Sequence, residues 1–74
     1  MEFISGQRVG GYLVFRDGDG LRHAVRVGTV LALSDADESQ TSTVVQLPGG
    51  RALMVGIPMD EILGWLDRPS PSPR

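Results

Sequence analysis

The chain has 74 residues, nine acidic and seven basic side chains, a formal net charge of −2 and no cysteine, which allows one small domain and excludes disulfides and thiolate metal sites. A single histidine, His23, argues against a structural zinc site, and a core of this size supplies at most ~3–5 kcal/mol by itself, so oligomerisation or tight packing is expected to help. No apolar run exceeds four residues, against ~20 for a membrane span and ~7–15 for a signal-peptide core, so no membrane association is expected and the cytoplasm is the expected compartment.

Residues 1–5 are expected to add an edge strand. Tyr12-Leu13-Val14-Phe15-Arg16 and residues 21–27 are two β-rich runs, and Asp17-Gly18-Asp19-Gly20 between them reads as a hairpin turn. A third run covers 30–33. Residues 34–40 are polar and acidic, a loop. The β-branched stretch 41–47 reads as a strand, and Pro48-Gly49-Gly50 turns the chain into a last strand over 51–57. Met59, Ile62, Leu63 and Leu66 then fall at i, i+3, i+4 and i+7, the stripe of one amphipathic helix. Pro58 suits the first helical position, Asp60 and Glu61 suit the positive end of the dipole, and Pro69 stops extension. Residues 68–74 alternate proline and serine and are expected to form a disordered tail. The fold class is therefore mainly β: about five short antiparallel strands in a curved sheet or SH3-like small barrel, capped by one C-terminal helix, in a single domain over residues 1–67.

Strand alternation places Leu21, His23, Val25 and Val27 on one face and Arg22, Ala24 and Arg26 on the other. The run from Tyr12 is apolar on both faces. Either the curved sheet wraps both, or the second face is covered by a subunit partner, and a homodimer is expected because so small a core needs help.

Few motifs carry chemistry. Asp17-Gly18-Asp19-Gly20 resembles the start of a calcium loop, but the twelfth position, where an EF-hand places its bidentate Glu, is Gly28. The glycine pairs lack the Lys of a phosphate loop, because all seven basic residues are arginines. His23, between Leu21 and Val25 on its face, reads as a packed or edge histidine, with a pH switch as the lesser role. Thr41, Ser42 and Thr43 offer hydroxyls without an identifiable base. No catalytic constellation, metal site or cofactor is expected, and the chain is read as a non-enzyme. Arg22 and Arg26, with Arg16 across the hairpin, would form a basic stripe if the register brought them together. Trp65 flanks the helix stripe, where it either completes the core or stands at its rim as an interface anchor.

Val30-Leu31-Ala32-Leu33, an acidic loop, Thr43-Val44-Val45-Gln46-Leu47, Gly49-Gly50-Arg51, a strand and Pro58-Met59-Asp60-Glu61-Ile62-Leu63 follow one another over about forty residues. This cadence resembles the small flagellar FlbD-like proteins and the C-terminal half of LytTR-type DNA-binding domains. LytTR domains bind DNA through basic loop residues. The matching loops here, 34–40 and 48–50, are acidic or neutral, so no functional residue is carried over.

The functional expectation is a small protein-interaction or regulatory module acting on an unidentified protein, as a homodimer. Trp65, Tyr12, Asp35, Asp37 and Glu38 are its interface candidates. The three acids are also the residues by which a phage-type or accessory inhibitor would block a basic groove. The alternative is a nucleic-acid-binding module using Arg16, Arg22 and Arg26. Nucleic acid is the lesser partner, since a dedicated binder carries a basic excess and this chain is acidic overall.

Overall fold

The computed structural model describes residues 3–67. Six short strands form two three-stranded antiparallel sheets, followed by one helix. The first sheet orders β1 (Gln7–Val9), β2 (Tyr12–Arg16) and β3 (Arg22–Arg26) side by side. The second does the same with β4 (Ala32–Asp35), β5 (Thr43–Leu47) and β6 (Arg51–Val55). The helix α1 spans Met59–Asp67. The Pro/Ser tail expected over 68–74 lies outside the described residues.

The strand count corrects the expectation of five. β1 lies at Gln7–Val9, residues 3–5 of the expected edge strand are not in a sheet while residues 1–2 lie outside the described ones, and β1 pairs with β2 through Gly10-Gly11, with Val9 opposite Tyr12. Gly10 has φ +61°, the positive value a two-residue hairpin needs at its first central position. β4 runs on to Asp35, two residues into the segment read as a loop, because Ser34 and Asp35 pair with Val44 and Thr43.

The sheets do not close into a barrel. A 3₁₀ turn, Val27–Thr29, separates β3 from β4, and the two strands belong to different sheets. With ladders of five residues or fewer, the sheets instead face each other. A backbone bond from Gly18 N–H to Met54 O, at 2.7 Å, ties the β2–β3 turn to β6.

The core sits between the inner faces. Leu13 and Phe15 come from β2, Val45 and Leu47 from β5, Val55 from β6, and Ile62 and Trp65 from α1. Val25 and Leu33 pack against this cluster at its margin. Thr43 is fully buried, and its hydroxyl donates to Ile57 O at 2.7 Å, pinning the turn that leads into the helix. A buried hydroxyl without such an acceptor would cost ~1–3 kcal/mol.

The helix has the expected position but a rotated face. Ile62 and Trp65 are buried and Leu66 is half-buried, whereas Leu63 is 48% exposed. Trp65 therefore takes the place that the stripe assigned to Leu63. It can do so because Gly6 leaves room: a Cβ on Gly6 would lie 2.5 Å from the indole nitrogen. Gly6 also has φ +94°, and its N–H donates to Val14 O at 2.8 Å. Arg8 completes the docking. Its Nη2 donates to Trp65 O at 3.1 Å and Leu66 O at 3.2 Å, carbonyls at the end of α1 that have no partner within the helix.

Candidate functional site

The outer face of the first sheet is unusual for so small a chain. The register aligns Gln7 and Val9 of β1, Tyr12, Val14 and Arg16 of β2, and Arg22, Ala24 and Arg26 of β3 on one side. Val14 is buried there although it is not part of the core cluster. Around it lies a concave groove of about 680 Å³ lined by Phe3, Val9, Tyr12, Val14, Leu21, Arg22, His23 and Ala24. Val9, Tyr12 and Leu21 are large apolar side chains exposed at 42%, 41% and 62%. The apolar second face anticipated from the run at Tyr12 is thus this groove.

The register settles where Arg16 lies relative to Arg22 and Arg26. Arg16 and Arg22 are direct cross-strand partners, and Arg26 stands opposite Tyr12, its guanidinium 5.5 Å from the ring centroid. Arg16 also donates through Nη1 to Gly20 O at 3.0 Å. Among the described residues, none of these three guanidinium groups is ion-paired with a carboxylate. Like charges directly across a ladder oppose pairing, so the Arg16–Arg22 juxtaposition carries a small cost that an anionic group placed there would offset.

His23 has a partner that reading along its own strand could not show. Its Nε2 lies 2.7 Å from Asp17 Oδ2, and its ring stacks on Phe15 across the ladder at 5.9 Å between centroids. The other Asp17 oxygen accepts from the N–H groups of Asp19 and Leu21. The hydrogen bond from His23 is the chief reason the Asp17 carboxyl falls below its ordinary value of 3.8; the two backbone donors add to the effect and partial burial opposes it. Asp17 thus acts as the anchor of the β2–β3 turn and of the imidazole, and His23 is the member of the pair that lines the groove.

The remaining candidates are dispersed. Trp65, the interface candidate on the helix, is buried in the core at 7% exposure, so its ring is not presented to a partner; the Gly6 recess that admits it is invisible without the fold. Tyr12 is exposed on the groove face. Asp35, Asp37 and Glu38 lie exposed on the far half of the chain. The Asp37 carboxylate accepts from Ser39 Oγ at 2.7 Å and Gln40 N–H at 3.2 Å, shaping its own loop. Val9, Leu21 and Ala24 belong to the site and were not singled out from sequence. The signal available for Val9 was the Gly10-Gly11 pair, which turns a three-residue polar segment into a hairpin arm.

Among the described residues no group of three or more His, Asp or Glu side chains is placed to hold a metal ion, and no helix is long and apolar enough to cross a membrane. Fold and face together define a class: a two-sheet β protein with a C-terminal helix and an apolar, arginine-rimmed sheet face. No protein family, curated protein or solved structure matches the chain.

Proposed function

We propose that the protein is a non-enzymatic protein-interaction module, regulatory or accessory in role, and that it binds its partner through the outer face of the β1–β2–β3 sheet. One observation carries this reading. Exposed Val9, Tyr12 and Leu21 line a concave apolar groove at the outer side of the β1–β2–β3 sheet. Contiguous exposed apolar surface rimmed by polar groups marks interaction sites. Tyrosine and arginine, both present here, are the residue types enriched at binding hot spots.

The test is affinity capture with the tagged full chain, after nuclease, comparing the native protein with the double variant Tyr12→Ser, Leu21→Ser. Both residues are exposed, so the variant is expected to fold. Loss of the nuclease-resistant partner from the variant is the expected result. Retention of the same partner would remove the groove from the reading.

The facing pair Arg16 and Arg22, with Arg26 beyond, favours a second reading, in which the same face holds nucleic-acid phosphates. Phosphate binding must weaken steeply with salt. A linear fall of log affinity for a duplex oligonucleotide against log salt, with a slope of about −1.8 to −2.7 for two to three neutralised phosphates, would establish it.

A further inference from the structure

Resting on that reading of the face, we infer that its occupant is an extended acidic segment of another protein, added as a fourth strand along the free edge of β3. Three observations converge on it. The first is the edge. Among the described residues β3 pairs on one side only. Val27 N–H bonds Gly11 O, and Leu21 O accepts from Asp17 N–H, so the odd-numbered residues turn their backbone groups toward β2. By the period of two, Arg22, Ala24 and Arg26 turn theirs away. Arg26 O is taken by the Thr29 hydroxyl at 2.7 Å. The N–H and C=O of Arg22 and Ala24 have no protein partner among the described residues. Such a row is a template for strand addition.

The second is charge. On a strand, side chains two apart share a face about 6.6–7 Å from each other. Arg22 and Arg26 therefore bracket Ala24, and Ala24 is the small residue at the groove wall. An added strand with carboxylates opposite Arg22 and Arg26 and an aliphatic residue opposite Ala24 satisfies both guanidinium groups and fills the groove. The pattern is acidic-x-aliphatic-x-acidic.

The third is what the same geometry disfavours. A second copy pairing β3 with β3 about a two-fold axis at Ala24 would set Arg22 against Arg26 of the other copy twice, like charge on like charge. A single-stranded nucleic acid needs open aromatic faces for base stacking, and the Tyr12 ring carries the Arg26 guanidinium on its face.

The full-length chain, labelled with nitrogen-15, is titrated with three probes: the capped peptide Ser-Glu-Thr-Val-Thr-Glu-Ser, its counterpart with Lys for Glu, and oligo-dT. The expected result is amide shifts along β3 with the acidic peptide alone, together with at least tenfold slower hydrogen exchange at the Ala24 amide. The variant R22E/R26E is expected to lose the acidic peptide and take the lysine peptide instead, a gain that an unfolded variant could not show. No response to the acidic peptide at millimolar concentration overturns the inference. So does an equal response to both peptides, a set of shifts that misses β3, a stronger response to oligo-dT, or a concentration-dependent dimer through β3. The docking reading fails separately, when Tyr12→Ser, Leu21→Ser retains its nuclease-resistant partner.

Discussion

Gly6 and Asp17 show how single residues of this chain hold more than their own neighbourhood. Gly6 combines a left-handed backbone with contact against the Trp65 indole. Gly6→Ala must hold an L residue at positive φ, at ~1–2 kcal/mol, and must displace a core indole, at ~1–3 kcal/mol for overpacking. Urea unfolding is expected to show a loss of ~2–5 kcal/mol; an unchanged midpoint would mean Trp65 does not seat on Gly6. Asp17 makes a pH prediction. Its carboxyl sits below 3.8 in the folded chain and near the ordinary value when unfolded. Stability from the ionised form is therefore fully present above about pH 4 and is lost as pH falls through the folded value. Asp17→Asn keeps an oxygen to accept from Asp19 and Leu21 but removes the charge. It is expected to flatten the acid limb of the stability curve below pH 4, followed by circular dichroism. An acid limb as steep as that of the native chain would assign the transition to other carboxylates.

At the scale of elements, the helix depends on a strand it does not resemble. Arg8 lies on the inner side of β1, opposite Leu13, and reaches the last carbonyls of α1. Hydrogen bonds from a charged donor are worth ~1.5–3 kcal/mol, and cations favour this end of the dipole. Arg8→Met is expected to destabilise by ~1–3 kcal/mol, with amide exchange in α1 rising more than in β5. A uniform rise across both would mean Arg8 supports the whole fold rather than the helix terminus. The same pair of elements marks where sequence reading ran out. The β2–β3 hairpin was legible because two β-rich runs flank Asp17-Gly18-Asp19-Gly20, and α1 because its stripe begins beside Pro58. β1 was not, since Gln7-Arg8-Val9 is short and polar, and only tertiary contact with Trp65 and Leu66 explains an arginine facing inward. The exact helix face is hidden for a related reason: Leu63 belongs to the stripe and Trp65 flanks it, and the Gly6 recess seats Trp65 in the core instead of Leu63. Likewise alternation places Arg22 and Arg26 on one face, but whether Arg16 joins them depends on the register, which the four-residue turn does not fix.

Across the whole molecule the charges are segregated. Residues 1–29 carry four arginines against three carboxylates, whereas residues 30–74 carry three arginines against six. The chain is acidic overall, yet the groove face is basic, and salt decides which of these an approaching acidic segment senses. At 0.01 M ionic strength the Debye length is ~30 Å, on the scale of a small domain, so the distant carboxylates offset the arginines. At 0.15 M it is ~8 Å, and only the nearest charges count. Raising salt from the low limit should first relieve the long-range repulsion and then screen the arginine contacts themselves. The affinity of the acidic peptide is therefore expected to pass through a maximum at intermediate salt, measured by fluorescence titration from 0.01 to 0.5 M. Neutralising the far acids, with Asp35→Asn and Glu38→Gln, should shift that maximum to lower salt without moving the high-salt limb. A monotonic fall identical in both proteins would mean that the arginine face acts alone and that the acidic half has no part in the encounter.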